Sequence, residues 1–496
     1  MWKYACIATV VFIVGGCFVV FSTPSAGQGR AHALFSLKGT AKVVAEAEKS
    51  SVGSVREAEI LFGTDSKGML AEDRVTLALF DGKEFTAERR QIERRGPDDL
   101  TWRGTIRSKV DGDVIITYRN GFYSGLIYSP DAVFEIIPRG DGHLLVQLDQ
   151  SKFPECGGGI KGDEGGGAAA RPSENIVGVD SSDRIDVMVV YTTATKNFLG
   201  GDPQAQVHAQ AAIDATNTAY LNSKIRQRVR LVHSQEFVYT ESGSSSTDLS
   251  NLRTNAMIQA LRDTHKADLV AEISEVTGVC GIGYLMGGMG GNQSNGFTVT
   301  ARSCAVGNLS FAHELGHNMG SHHNPENGGT PTFPYGFGHY VNGSYRTVMS
   351  YVNPCTSGCT RVAYFSNPNV IFNNAPTGVN NVRDNARSID NTADVITAYR
   401  YSGSSITLSN FNGGNWLPRL ISRNVTWSSD NITGDVRIDV SRDEGTNWET
   451  LVASTPNDGS ELISVGGRAT RRARLRVVSL GTPTVSDSSV SNISIR

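Results

Sequence analysis

Four stretches with different patterns of apolar and polar positions follow one another along the 496 residues. Residues 5–21 form an uninterrupted apolar run behind Met-Trp-Lys-Tyr. A period of two then takes over. Val75, Leu77 and Leu79 alternate ahead of Asp81-Gly82, and Val114, Ile116 and Tyr118 ahead of Asn120-Gly121, so strands closed by hairpin turns are expected. From residue 183 the pattern switches between strand-like stretches (183–191, 228–239, 267–276, 297–304) and helical ones. Pro203 opens a helix over 203–224, and Leu249, Leu252, Ala256 and Ala260 stand at helical spacing over 248–265. That alternation predicts a mixed α/β unit with a twisted sheet. Beyond the polar joint at 402–405, short strands at 425–427, 436–440 and 473–478 are punctuated by Asp443-Glu444-Gly445 and Asn457-Asp458-Gly459. They read as a small all-β sandwich.

One lysine before the apolar run and small residues after it fit a secretory signal peptide, cleaved after Gly27 or Ala33. A retained anchor is the rival, because the run lies at the short limit for a span. Glycine clusters at 157–159 and 165–167, followed by Ala168 to Pro172, read as a flexible linker. Four segments result: a signal peptide at 1–27, a β-rich segment with its linker at 28–175, a mixed α/β unit at 176–401, and the β-sandwich at 402–496. A net charge of −3 with 19% charged residues points away from nucleic acid and from anionic membranes. Past the leader stand five cysteines: Cys156, Cys280, Cys304, Cys355 and Cys359. Export into an oxidising compartment favours pairs and leaves one thiol over. Four cysteines permit three pairings; Cys280–Cys304 with Cys355–Cys359 is the expected one.

The chemistry concentrates in His313-Glu314-Leu315-Gly316-His317-Asn318-Met319-Gly320-Ser321-His322-His323. On a helix, His313 and His317 share a face and can point at one metal ion, with Glu314 beside them. Gly320 lets the backbone leave the helix through a conformation that side chains resist, which returns His323 as a third nitrogen ligand. Three protein ligands leave a fourth tetrahedral position for water, the mark of a catalytic zinc site. With 10 His and 54 Gly in the chain, a chance match has a probability of about 4 in 100,000, so the motif is taken as real. Asn308 is placed to cap this helix, which is expected to run through Met319. His322 is expected to be exposed. The other histidines (His32, His143, His208, His233, His265, His339) lack ligand spacing.

H-E-x-x-H-x-x-G-x-x-H resembles the signature of the metzincin metalloproteases, and its surroundings resemble the reprolysin (adamalysin-like) branch over residues 185–399. The resemblance implies a metzincin catalytic domain, here between a β-rich propeptide and an all-β module similar to fibronectin-III-like accessory domains. It implies a secreted, zinc-dependent endopeptidase made as a zymogen in which Glu314 is the general base. Thr347-Val348-Met349-Ser350-Tyr351 resembles the Met-turn, with Met349 beneath the ligands. Tyr351 stands where astacins and serralysins carry a tyrosine that binds zinc or the oxyanion. Phe153-Pro154-Glu155-Cys156-Gly157 resembles a cysteine switch in which Cys156 takes the fourth zinc position. Residues 281–286 correspond to an edge strand that would hold extended substrate. Residues 364–368 resemble a stretch near the S1′ wall. Asn324 replaces the aspartate usual after the third histidine, with looser support expected around the site.

Zinc is thus the implied cofactor; calcium is compatible with such folds, but no calcium loop stands out. Protein or peptide substrates are expected, with no nucleic acid, no membrane after leader removal, a monomeric state and extracellular localisation by bacterial export. Trp416, Trp427 and Trp448 are expected in the core of the C-terminal module rather than on a sugar-binding face. A catalytically dead metzincin scaffold used for adhesion or carbohydrate binding is the alternative from another class; an intact Glu314 argues against it. A serralysin would need glycine-aspartate calcium repeats, which the chain lacks.

Overall fold

A computed structural model describes residues 32–44, 53–162, 184–400, 403–483 and 485–496. The expected leader, its cleavage sites and most of the linker lie outside these residues. Among the described residues no helix is long and apolar enough to cross a membrane.

Nine strands form an antiparallel N-terminal sheet: β1 (Phe35–Val43), β2 (Ser54–Phe62), β3 (Arg74–Ala78), β4 (Glu84–Gly96), β5 (Asp99–Ile106), β6 (Gly112–Arg119), β7 (Phe122–Tyr128), β8 (Val133–Arg139) and β9 (Gly142–Leu148). Their order is β1-β2-β9-β8-β7-β6-β5-β4-β3. Asn120 and Gly121 close the β6–β7 hairpin with φ of 49° and 92°, the left-handed pair that a tight hairpin turn requires. One face of this sheet covers its own core around Trp102, Val114 and Ile136. The other face, with Ile115, Leu126 and Ile137, joins the core of the following unit.

That unit carries a six-stranded sheet built from β10 (Gly159–Lys161), β11 (Arg184–Thr192), β12 (Arg228–Phe237), β13 (Leu269–Ser274), β14 (Gly281–Leu285) and β15 (Phe297–Ala301). Their order is β10-β14-β15-β13-β11-β12. All neighbours are parallel except β14 against β15. Behind it run α1 (Thr193–Leu199) and α2 (Asp202–Asn222). Proline in its first turn and an alanine-rich body suit α2 to a helix, and it is buried almost all round because a sheet covers each side. Polar residues stitch α2 to the N-terminal sheet. The fully buried Asp214 accepts from Thr101 Oγ1 and, at 2.7 Å, from Thr117 Oγ1, with Arg95 Nη1 at 3.3 Å.

Three expectations change. The helix over 248–265 is two, α3 (Ser245–Thr254) and α4 (Ala256–Thr264), because Asn255 is extended and its side chain accepts from the N–H groups of Met257 and Ile258. The second helix therefore turns Ile258 inward and leaves Ala256 and Ala260 exposed. The strand expected over 297–304 stops at Ala301, and Arg302–Ala305 form a helical turn that carries Cys304 to Cys280. The start of the presumed linker is β10, held by pairing of Gly159, Ile160 and Lys161 with Gly283, Tyr284 and Leu285.

The C-terminal residues form a three-stranded and a six-stranded sheet around a separate apolar cluster. Trp427 is buried there, whereas Trp416, in a two-residue strand at the sheet's margin, is 54% exposed, contrary to a core position. Trp448 is half-buried under the Arg476 guanidinium.

Candidate metal centre and active site

The site is carried by α5 (Ser310–Asn318), which lies across β14 and β15. Its entry differs from the expected cap. Leu309 takes the N-cap position in the left-handed region, φ 55°, with no side-chain cap. Asn308 stands one residue earlier: its side-chain NH2 donates to Ser310 Oγ and Cys280 Sγ and its backbone carbonyl accepts from Arg361, while its Oδ1 is buried with no hydrogen-bond partner. Met319 is the C-cap rather than part of the helix, and Gly320 follows with φ 78°. A Cβ at Gly320 would lie 2.7 Å from Thr332 Oγ1, so both backbone conformation and space demand glycine there.

This exit brings His323 back to α5. Nε2 of His317 and Nε2 of His323 are 3.1 Å apart. Nδ1 of His313 lies 2.8 Å from the Val348 carbonyl and Nδ1 of His317 lies 3.0 Å from that of Ser321. Those carbonyls keep the protons on Nδ1 and present both Nε2 atoms as acceptors, the arrangement found behind metal-ligating histidines. His313 Nε2 is buried with no hydrogen-bond partner. Burial is the main cause that holds all three imidazoles neutral, with His317 pushed down to about 3. The fourth donor is Cys156 Sγ, and one ligand atom from each of Cys156, His313, His317 and His323 lies within 4.8 Å of every other. Three buried imidazole nitrogens and a partly buried sulfur, converging on one point, form a donor set that fits zinc.

Glu314 is buried against β14, and burial pushes its carboxyl up to about 8. The approach is possible because Gly281 and Gly283 have no side chains: a Cβ on Gly281 would lie 2.6 Å from Glu314 Oε1. The Cys156 thiol donates to Glu314 Oε2 at 3.4 Å and lies 3.6 Å from His317 Nε2. Met349 is fully buried against α5, where a Cβ on Gly316 would lie 2.5 Å from its sulfur. The Met349 turn is pinned on one side by Val348 N–H donating to the Tyr364 carbonyl, at 2.8 Å. On the other side Asn324 Oδ1 accepts from Tyr351 N–H at 3.0 Å and from Ser350 Oγ at 3.3 Å. Asparagine therefore supports the turn here, where looser packing was expected.

The Tyr351 ring lies 4.0 Å from that of His323, and its hydroxyl donates to the Cys156 carbonyl at 3.0 Å. His322, expected at the surface, is 7% exposed, because its Nδ1 accepts the His323 backbone N–H and fixes the return of that residue. Cys280–Cys304 and Cys355–Cys359 are both bonded, and Cys156 is free.

The segment around Cys156 lies along the cleft. Cys280 N–H donates to the Glu155 carbonyl at 3.1 Å and Gly157 N–H to the Gly281 carbonyl at 2.8 Å, after which β10 continues along β14. The edge expected to be open to substrate is therefore covered by the chain itself. Sequence inspection also passed over Glu155, whose Oε1 accepts from Val352 N–H at 2.7 Å, and the buried Arg346 and Arg361. A single arginine in a two-residue strand carries no signal of burial, so nothing in the pattern could have singled these out.

Comparison with known proteins agrees with this geometry. Residues 181–366 match a reprolysin-type model of metallo-peptidase family M12. A peptidyl-Asp metalloendopeptidase of Stenotrophomonas maltophilia (strain K279a) is 30% identical over 361 residues, 64% of this chain and 81% of that protein. Proteins of the same name from another S. maltophilia strain (R551-3) and from Xanthomonas campestris pv. campestris are 29% and 28% identical. They align over 71% and 80% of this chain, and over 91% and 100% of their own lengths. With the sequence motif, the convergent histidines and relatives matched over most of their length, the chain belongs to metallo-peptidase family M12 and is a reprolysin-like metalloendopeptidase of the metzincin type.

Proposed function

We propose that this metalloendopeptidase is a secreted, monomeric zymogen whose zinc is held by His313, His317 and His323, with Glu314 as general base and acid. Residues 28–175 are its propeptide, residues 176–401 its catalytic domain, and Cys156 the ligand that silences it. The convergence of Cys156 with the three histidines carries this proposal. Bound zinc would supply a Lewis acid for the scissile carbonyl and lower the pKa of water towards 7.

The chain's own residues do the rest. Glu314, desolvated against Gly281, has a raised proton affinity suited to taking a proton from the attacking water and returning it to the leaving amine. Tyr351, released from the Cys156 carbonyl, has its hydroxyl beside the reacting centre and can donate to the developing oxyanion. The β14 edge, once cleared of β10, offers backbone groups to an extended peptide. While residues 155–161 remain in place, both the metal position and that edge are taken. The shared name of the relatives brings a preference for bonds at aspartate.

Casein hydrolysis by the processed protein, with and without a zinc chelator, tests this proposal. Activity that zinc restores and Glu314→Ala abolishes is the expected result, with Cys156→Ala waking the uncleaved chain. A processed protein that binds one zinc and cleaves nothing would overturn it.

A further inference from the structure

Two guanidinium groups lie beneath the turn that carries Met349. Arg346 is 1% exposed and Arg361 3%. Both donate to one carbonyl, that of Ser350, Arg346 Nη1 at 2.9 Å and Arg361 Nη2 at 3.2 Å. Arg361 Nη1 also reaches the Asn308 carbonyl at 2.9 Å, whereas the Nε of each is buried with no hydrogen-bond partner. Burying two cations side by side is costly unless an anion offsets them. Glu155 is the carboxylate whose charge acts on both; Glu314 acts on Arg361 as well. Glu155 is not part of the catalytic unit. It belongs to the segment that covers the cleft, one residue before Cys156, and its carboxylate is held by Val352 N–H at 2.7 Å. Val352 follows Tyr351 in the loop leaving Met349, beside the reacting centre. A peptide lying there would place the side chain of a residue next to the scissile bond in the same spot.

We infer that Val352 N–H, with Arg346 and Arg361 behind it, is the receptor for the acidic side chain of the substrate, and that Glu155 fills this receptor in the uncleaved chain as a stand-in for that side chain. The inference rests on the aspartate-directed reading above. It makes the propeptide a two-point plug, with Cys156 at the metal position and Glu155 in the specificity pocket. It also explains why the catalytic unit keeps two buried arginines that no carboxylate of its own offsets together.

Two experiments test it, one on the uncleaved chain and one on the processed enzyme. In the zinc-loaded protein, the rate at which iodoacetamide labels Cys156 reports opening of the plug. Glu155→Gln keeps an oxygen for Val352 N–H but loses the charge, and is expected to raise labelling about tenfold. Glu155→Lys should raise it further, without touching the buried pair. Unchanged labelling in both variants overturns the stand-in. In the processed enzyme, from which Glu155 has been removed, paired peptides that differ only as Asp or Asn at the cleaved position report the receptor. Arg346→Met and Arg361→Met should each lower the Asp-to-Asn ratio of kcat/KM about tenfold, chiefly through KM. A ratio retained in folded variants overturns the receptor. An absent preference for Asp in the processed parent enzyme would instead sink the aspartate-directed reading, and the labelling result would still decide the role of Glu155.

Discussion

Gly316 and Met349 are complementary: a methyl group on the Gly316 α-carbon would lie 2.5 Å from the Met349 sulfur and 3.3 Å from its methyl carbon. The fourth position of the zinc motif is thus a packing requirement of the turn beneath it. Gly316→Ala is expected to cost about 1–3 kcal/mol of stability through overpacking. Met349→Ala should recover part of that loss in the double variant. Thermal unfolding of the four proteins of this cycle gives the coupling, and strict additivity would refute the contact.

Glu314 depends on Gly281 in the same way, with a virtual Cβ only 2.6 Å from Oε1. Gly281→Ala should displace the carboxylate without touching a histidine. The activated enzyme is expected to lose about 10²-fold in kcat while keeping its zinc. Metal content measured beside kcat checks this, since loss of zinc would mean that the strand, not the carboxylate, had moved.

Replacing Glu314 by Gln preserves shape and removes the proposed base. Zinc content should stay at the parent level and kcat/KM should fall about 10²–10⁴-fold. Titration with a chromogenic chelator, run beside peptide hydrolysis, separates the two. Substantial activity in a zinc-replete variant would move the base to another group.

Glu135, on β8 of the N-terminal sheet, is buried where that sheet meets Gly307, and burial raises its carboxyl from 4.5 to about 8. The folded chain then holds a proton that the unfolded chain releases. Its contribution to stability is full below pH 4.5 and is lost as pH rises towards about 8, at a slope of up to about 1.4 kcal/mol per unit. Glu135→Gln should flatten the fall in urea midpoint between pH 5 and 8. An unchanged slope would assign the pH dependence elsewhere, for example to Glu272, which burial also raises to about 8.

Much of the site was legible before any fold was known. Helical spacing places His313, Glu314 and His317 on one turn, a glycine at 320 permits the exit, and an unpaired fifth cysteine stands out by arithmetic. The Asn120-Gly121 hairpin and the proline-opened α2 were legible for the same reason: their signals are local, set by backbone preferences within a few residues. Elements whose ends depend on side-chain competition were not. Asn255 split a helix by capping a new one, and Asn308 does not cap because Leu309, in the left-handed region, takes the N-cap position.

What the sequence determined by itself is the chemistry: which atoms can hold a metal and which carboxylate stands beside them, since a helix makes neighbours of residues three and four apart. What only the tertiary structure decided is access to that chemistry. It lays Gly159–Lys161 along Gly283–Leu285, carries Cys156 over His317, and turns Glu155 into the loop at Val352 above two buried arginines. Those contacts join residues more than a hundred positions apart through backbone pairing and desolvated charge, and neither leaves a periodicity in the chain.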